Sequence, residues 1–76
     1  MSEVARLRWL CRRGMKELDV VLTRYLDESY SEASVTDQRL FRRLLEMPDP
    51  DLYSLLLRRT DTDDVELGRF LQVLRG

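Results

Sequence analysis

Residues 12–19 of this chain read Arg-Arg-Gly-Met-Lys-Glu-Leu-Asp, and no other stretch is better equipped for recognition. Two guanidinium groups, an ammonium, a chain-reversing glycine and two carboxylates fall within eight positions. A glycine between two amphipathic segments takes the left-handed conformation without steric cost and commonly ends the first helix. Gly14 is therefore expected to be a helix C-cap. Arg13 then leaves one helix and Glu17 lies in the opening turn of the next, both on an exposed corner. Each charge also has a plain structural use. Glu17 suits the positive end of a helix dipole, and Arg13 can pair with Glu17 or cover apolar surface with its stem. An exposed pair of this kind contributes only about 0–1 kcal/mol, so folding does not require it.

The chemistry that is missing narrows the function. The chain has no histidine, which removes the commonest general base and metal ligand. Its single cysteine, Cys11, builds neither an intramolecular disulfide nor a zinc site, and its place on an apolar face reads as core. The only glycines are Gly14, Gly68 and Gly76, so no phosphate-cradling loop exists. No pair of carboxylates stands out as an acid–base dyad. The expectation is a binding module, not an enzyme, with no catalytic and no metal-binding residues.

Seventy-six residues form one domain, 1–76, too small for a nucleotide-binding sheet plus a substrate pocket. Charged residues make up 36% and hydrophobic residues 43%, which suits a highly charged helical protein. The net charge of −1 gives no global signal for nucleic acid or membrane. Locally, Arg6, Arg8, Arg12, Arg13 and Lys16 crowd the amino-terminal segment. Acidic clusters follow at Asp27, Glu28, Glu32 and Asp37, and at Asp61, Asp63, Asp64 and Glu66. No apolar run reaches the roughly 20 residues of a membrane span. No secretory core is visible, and Glu3 argues against a transit peptide. The expected location is the cytoplasm.

The elements that must position these residues are helices throughout. Apolar spacing predicts a first helix over 3–13, with Val4, Leu7, Leu10 and Cys11 on one stripe, ended by Gly14. A second spans 15–29 with Leu18, Val21, Leu22, Tyr25 and Leu26 on one face. The polar segment 28–34 reads as a loop. Thr36 is the expected N-cap of the third helix, with Val35 and Leu40 as a hydrophobic staple and Leu40, Phe41, Leu44 and Leu45 inward. Pro48 ends it. Asp49 is expected to cap a fourth helix with Pro50 at its first position and Leu52, Leu55 and Leu56 buried. Asp63 with Glu66 forms a capping box for a fifth, whose apolar positions are Val65, Phe70, Leu71 and Leu74. Short connections make sequential helices neighbours. The fold class is all-α, a compact five-helix bundle.

Among the remaining candidates, Trp9 reads first as a partly buried packing residue and second as an interface anchor, a role in which tryptophan and arginine are enriched. Arg8 and Arg12 form one ridge if the first helix reaches that far. The pairs Arg42-Arg43 and Arg58-Arg59 read as solvated faces, and Asp49 and Asp51 as a helix start.

These residues also resemble a known family. Arg13-Gly14-x-x-Glu17 is similar to the Arg-Gly-x-x-Glu signature of the SdhE-type flavinylation factors of succinate dehydrogenase, also described as CptB-like antitoxins. The likeness extends to Arg6 and Trp9, through Leu18-Asp19, to Phe41 and Arg43-Leu44-Leu45-Glu46, and to Asp49-Pro50-Asp51-Leu52. It implies an assembly factor that binds the flavoprotein subunit of succinate dehydrogenase, and in bacteria often that of fumarate reductase. The factor would promote the bond between the FAD 8α-methyl and a histidine of that subunit. It implies no stably bound cofactor, since FAD belongs to the partner. Together with Arg8 and Arg12, the matched residues give an expected partner-binding set of Arg8, Trp9, Arg12, Arg13, Gly14, Glu17, Asp19, Asp49 and Asp51. The free protein is expected to be a monomer, with neither nucleic acid nor membrane as partner. The competing reading is an antitoxin-like protein paired with a membrane-associated toxin.

Overall fold

The computed structural model describes residues 2–57 and 62–75. Five α-helices follow in chain order: α1 (Glu3–Leu10), α2 (Lys16–Glu28), α3 (Val35–Leu45), α4 (Asp49–Leu56) and α5 (Val65–Arg75). A single 3₁₀ turn, Tyr30–Glu32, separates α2 from α3. The described residues contain no strand, as the absence of alternating patterning predicts.

The core forms where the helical stripes meet. Leu18, Leu22, Tyr25 and Leu26 of α2 face Leu40, Phe41, Leu44 and Leu45 of α3, Leu52, Leu55 and Leu56 of α4, and Leu67, Phe70, Leu71 and Leu74 of α5. Tyr25 is the hub. Its ring lies 4.8 Å from Phe41 and meets Phe70 edge-on at 5.3 Å, which locks three helices together. The short α1 buries only Leu7 along its length, and Cys11 just beyond it is fully enclosed.

Several expected boundaries shift. The first helix stops at Leu10, with Cys11 as its C-cap, instead of running to residue 13. From Arg12 the chain leaves helical geometry, because groups on α2, α3 and α4 claim the Arg13 backbone and side chain, as described below. Ser34, not Thr36, caps α3, its hydroxyl accepting the Asp37 N–H at 3.1 Å. Val35 is then a helical residue left 79% exposed, so no staple forms with Leu40. Asp64, not Asp63, caps α5 by accepting the Leu67 N–H at 3.1 Å. That shift by one leaves Val65 on the surface and brings Leu67 into the core. Val4 also lies outside the core. The expected loop over 28–34 contains a buried tyrosine. Tyr30 packs 5.5 Å from Phe41, while its hydroxyl donates to Glu3 at 2.5 Å and accepts from Arg42 at 3.0 Å. Arg58, Arg59 and Asp61 lie outside the described residues.

Candidate functional site

The corner between α1 and α2 is built around Arg13. Its backbone N–H donates to the Asp19 carboxylate at 2.7 Å. Asp19 stands in the first turn of α2, so this bond folds the incoming chain back over the start of that helix. The guanidinium spans the corner and reaches the α3–α4 junction. Nε donates to the Leu10 carbonyl at 3.0 Å, at the end of α1. Nη1 donates to the Met47 carbonyl at 2.8 Å and to the Asp49 carboxylate at 3.1 Å, and Nη2 donates to the Leu45 carbonyl. Leu45 is the last residue of α3, where carbonyls have no intrahelical partner. Arg13 therefore satisfies the carboxyl ends of two helices and the opening of a third.

This corrects the expectation that Arg13 stands exposed or pairs with Glu17. Only 13% of its side chain remains accessible. Asp49 also departs from the expected capping role. Pro48 occupies the N-cap position of α4 without a side-chain cap, because the Asp49 carboxylate is turned toward Arg13. Asp51 stays exposed in the first turn of α4, where its charge suits the helix dipole.

Gly14 has φ +79°, the left-handed region that glycine enters freely. It lies three residues beyond the C-cap Cys11, so it reverses the linker and does not cap the helix. A Cβ built there meets nothing within 4 Å. The space over Gly14 is open, and nothing within the chain requires it to be empty. Glu17 follows in the first turn of α2, exposed. Thus the structure brings Arg13, Asp19 and Asp49 into one bonded cluster and leaves Gly14 and Glu17 facing outward.

The remaining candidates flank the corner. Trp9 is 72% exposed, not the partly buried packing residue expected first. Arg8 pairs with Asp27 of α2 at 2.5 Å, and that carboxylate makes the guanidinium hold its proton more tightly. Arg12 is exposed, but it follows the end of α1, so the expected helical ridge with Arg8 does not form. Cys11 lies beneath these residues, and burial pushes its thiol up to about 11, which suits a packing role.

Sequence reasoning missed one feature of the surroundings. An apolar cleft of about 310 Å³ opens beside Glu17, walled by Val21 of α2 and by Tyr53 and Leu57 from α4 and its C-cap. The signal for it was weak, because Val21 and Leu57 sit at the edges of otherwise regular stripes. A wider groove of about 610 Å³ runs beside α5. Among its charged groups, Asp64 pairs with Arg43 at 3.0 Å and Arg69 with Asp37 at 2.8 Å. Among the described residues no group of three histidine, cysteine, aspartate or glutamate side chains could hold a metal ion. No described helix is long and apolar enough to cross a membrane.

Comparison with known proteins extends over nearly the whole chain. Residues 5–76 match the family described as the flavinator of succinate dehydrogenase. A protein of Colwellia psychrerythraea named FAD assembly factor SdhE is 44% identical over 70 residues, covering 92% of this chain and 77% of its own. The protein of that name from Shewanella oneidensis is 42% identical over 76 residues, covering 100% and 93%. That of Photorhabdus laumondii is 41% identical over 72 residues, covering 95% and 82%.

Proposed function

The chain belongs to the succinate dehydrogenase flavinator family, and from that membership we propose that it binds the flavoprotein subunit of succinate dehydrogenase and promotes covalent attachment of FAD to it. The flavoprotein of fumarate reductase is proposed as a second client. The observation that carries this reading is the match over residues 5–76. The corner supports it by offering two outward features, a glycine with open space above it and an exposed carboxylate.

In this reading the protein is a helper and holds no FAD of its own. The partner supplies both the flavin and the histidine that receives it, and this chain contains no histidine. Attachment requires that histidine to be held against the flavin in one domain arrangement of the partner. A small helical wedge that binds that arrangement best raises its population by its differential affinity. Proximity of this kind supplies up to about 7–11 kcal/mol at its limit, so a modest share of it suffices. Gly14 lets the partner's backbone pass close to the corner, and Glu17 orders a side chain at the same edge. Trp9, Arg8, Arg12 and Asp51 extend the proposed contact surface. Arg13, Asp19 and Asp49 hold its shape. The proposed setting is the cytoplasm, with the free protein a monomer.

The test is co-expression with a succinate dehydrogenase flavoprotein in cells lacking their own factor, followed by denaturing gel electrophoresis and a scan for covalent flavin fluorescence. Fluorescence that depends on this chain is the expected result. Equal fluorescence with and without it contradicts the role for that partner.

A further inference from the structure

Glu17 is shared by the corner and the apolar cleft beside it. Glu17 and Val21 lie four residues apart on one face of α2, and Tyr53 and Leu57 face them across the opening. Leu57 remains 43% exposed at the edge. At about 310 Å³ the cleft sits at the bottom of the ~300–1,000 Å³ range of small-molecule sites, so it suits one long side chain and not a dinucleotide.

The charges at its mouth define that side chain. Arg75 also lines the cleft, but its guanidinium donates to the Leu55 and Leu56 carbonyls at the end of α4. Glu17 makes no hydrogen bond or ion pair among the described residues. The opening therefore offers an apolar wall and one unengaged carboxylate. A purely apolar occupant would fill the wall but strip water from Glu17 without replacing its hydrogen bonds. An acidic occupant would meet the like charge of Glu17, while the Arg75 guanidinium is turned to the α4 carbonyls. A side chain with an apolar stem and a cationic head satisfies both parts. Arginine fits best, because its planar fork binds a carboxylate through two N–H groups and sheds water more readily than an ammonium.

The geometry points to this cleft as the seat of one arginine side chain of the partner flavoprotein, its stem against Val21, Tyr53 and Leu57 and its guanidinium on Glu17. The inference rests on the assembly reading above and gives Glu17 a definite counterpart within it.

The test measures the affinity of the full chain for the purified apo-flavoprotein subunit over a range of salt. Glu17→Gln is expected to raise Kd about 10–100-fold, as for loss of a hydrogen bond to a charged group, and to flatten the salt dependence. Leu57→Ser, at a position outside the buried core, is expected to raise Kd about 3–10-fold with the salt slope kept. A photoreactive benzophenone amino acid in place of Leu57 then maps the partner segment that crosslinks. Replacing an arginine of that segment by glutamate weakens binding, and combining it with Glu17→Lys restores it.

Wild-type affinity in Leu57→Ser overturns the proposal. So does a crosslinked segment without arginine, a crosslink to a second copy of this chain, or failure of the reversed pair to restore binding. In each of these cases the wild-type chain still binds and supports flavinylation, so the assembly reading survives. Absence of wild-type binding and of flavinylation overturns both.

Discussion

The Arg13 guanidinium and the Asp49 carboxylate, 36 positions apart in the chain, meet at 3.1 Å. The contact joins the α1–α2 corner to the first turn of α4, and the same guanidinium closes the carbonyls of Leu45 and Met47. Two of the sequence segments that carry the family likeness, around Gly14 and around Pro50, are thereby parts of one structure. Arg13 is the brace, and Gly14 and Glu17 are what it holds in view.

Removing the brace should destabilise the fold. Arg13→Ala leaves the Leu45 and Met47 carbonyls without their donors, at a cost of about 2–3 kcal/mol. For a domain of this size that corresponds to a fall in Tm of about 10–20 °C, measured by circular dichroism. Asp49→Asn keeps an oxygen acceptor at a position 37% exposed, where screening weakens the charge, and should cost only about 0–1 kcal/mol. Asp19→Ala removes the acceptor of the Arg13 N–H and should cost about 1 kcal/mol, whereas Asp19→Asn should be nearly neutral. Equal melting of Arg13→Ala and the parent would contradict the brace.

Acid should loosen the other tie between distant elements. The Tyr30 hydroxyl, with Arg42 beside it, holds the Glu3 carboxyl below its ordinary 4.5. The Leu67 N–H, and then Arg43, hold Asp64 below its ordinary 3.8. A carboxylate depressed in the folded state contributes stability above its unfolded value and loses it as pH falls through the folded value. Glu3→Gln should therefore melt below the parent near neutrality and converge with it as pH drops under 4.5. Parallel curves through that window would show that Glu3 contributes nothing by its charge.

Cys11 should be chemically silent while the fold is intact. With its thiol raised to about 11 and fully enclosed, almost none is thiolate near neutral pH. Ellman's reagent should label it slowly in buffer and at the rate of a free thiol in concentrated urea. Rapid labelling of the folded protein would mean that α1 opens readily from the core.

The helices were legible in the sequence because each carries an apolar stripe at helical spacing, and Leu18, Leu22 and Tyr25 or Phe41, Leu44 and Leu45 bury as that spacing requires. Their starts were less so. Ser34 and Thr36, or Asp63 and Asp64, are equally good caps by residue type, and only packing decides between them. Val35 and Val65 fell on the wrong side of those one- or two-residue shifts. Asp49 looked like a cap because aspartate before Pro50 usually is one. Its diversion to Arg13 depends on a contact between distant segments that no local pattern encodes. Tyr30 sat in a polar stretch, and its burial follows from Phe41 and Glu3 coming to meet it. The outward position of Gly14 and Glu17 was readable from the turn, whereas the inward turn of Arg13 was not.

The most direct test of the account is the covalent flavin fluorescence of a denatured succinate dehydrogenase flavoprotein co-expressed with Gly14→Asn. Asparagine tolerates the left-handed region better than most side chains and meets nothing within 4 Å of its Cβ, so the variant should fold, with Tm lowered by the strain of a side chain at φ +79°. In the proposed contact its side chain would stand where the partner's backbone passes. The account predicts strong fluorescence with the parent chain and a fall of about tenfold or more with Gly14→Asn, equivalent to at least about 1.4 kcal/mol of lost interaction. Full fluorescence with a folded Gly14→Asn would contradict it.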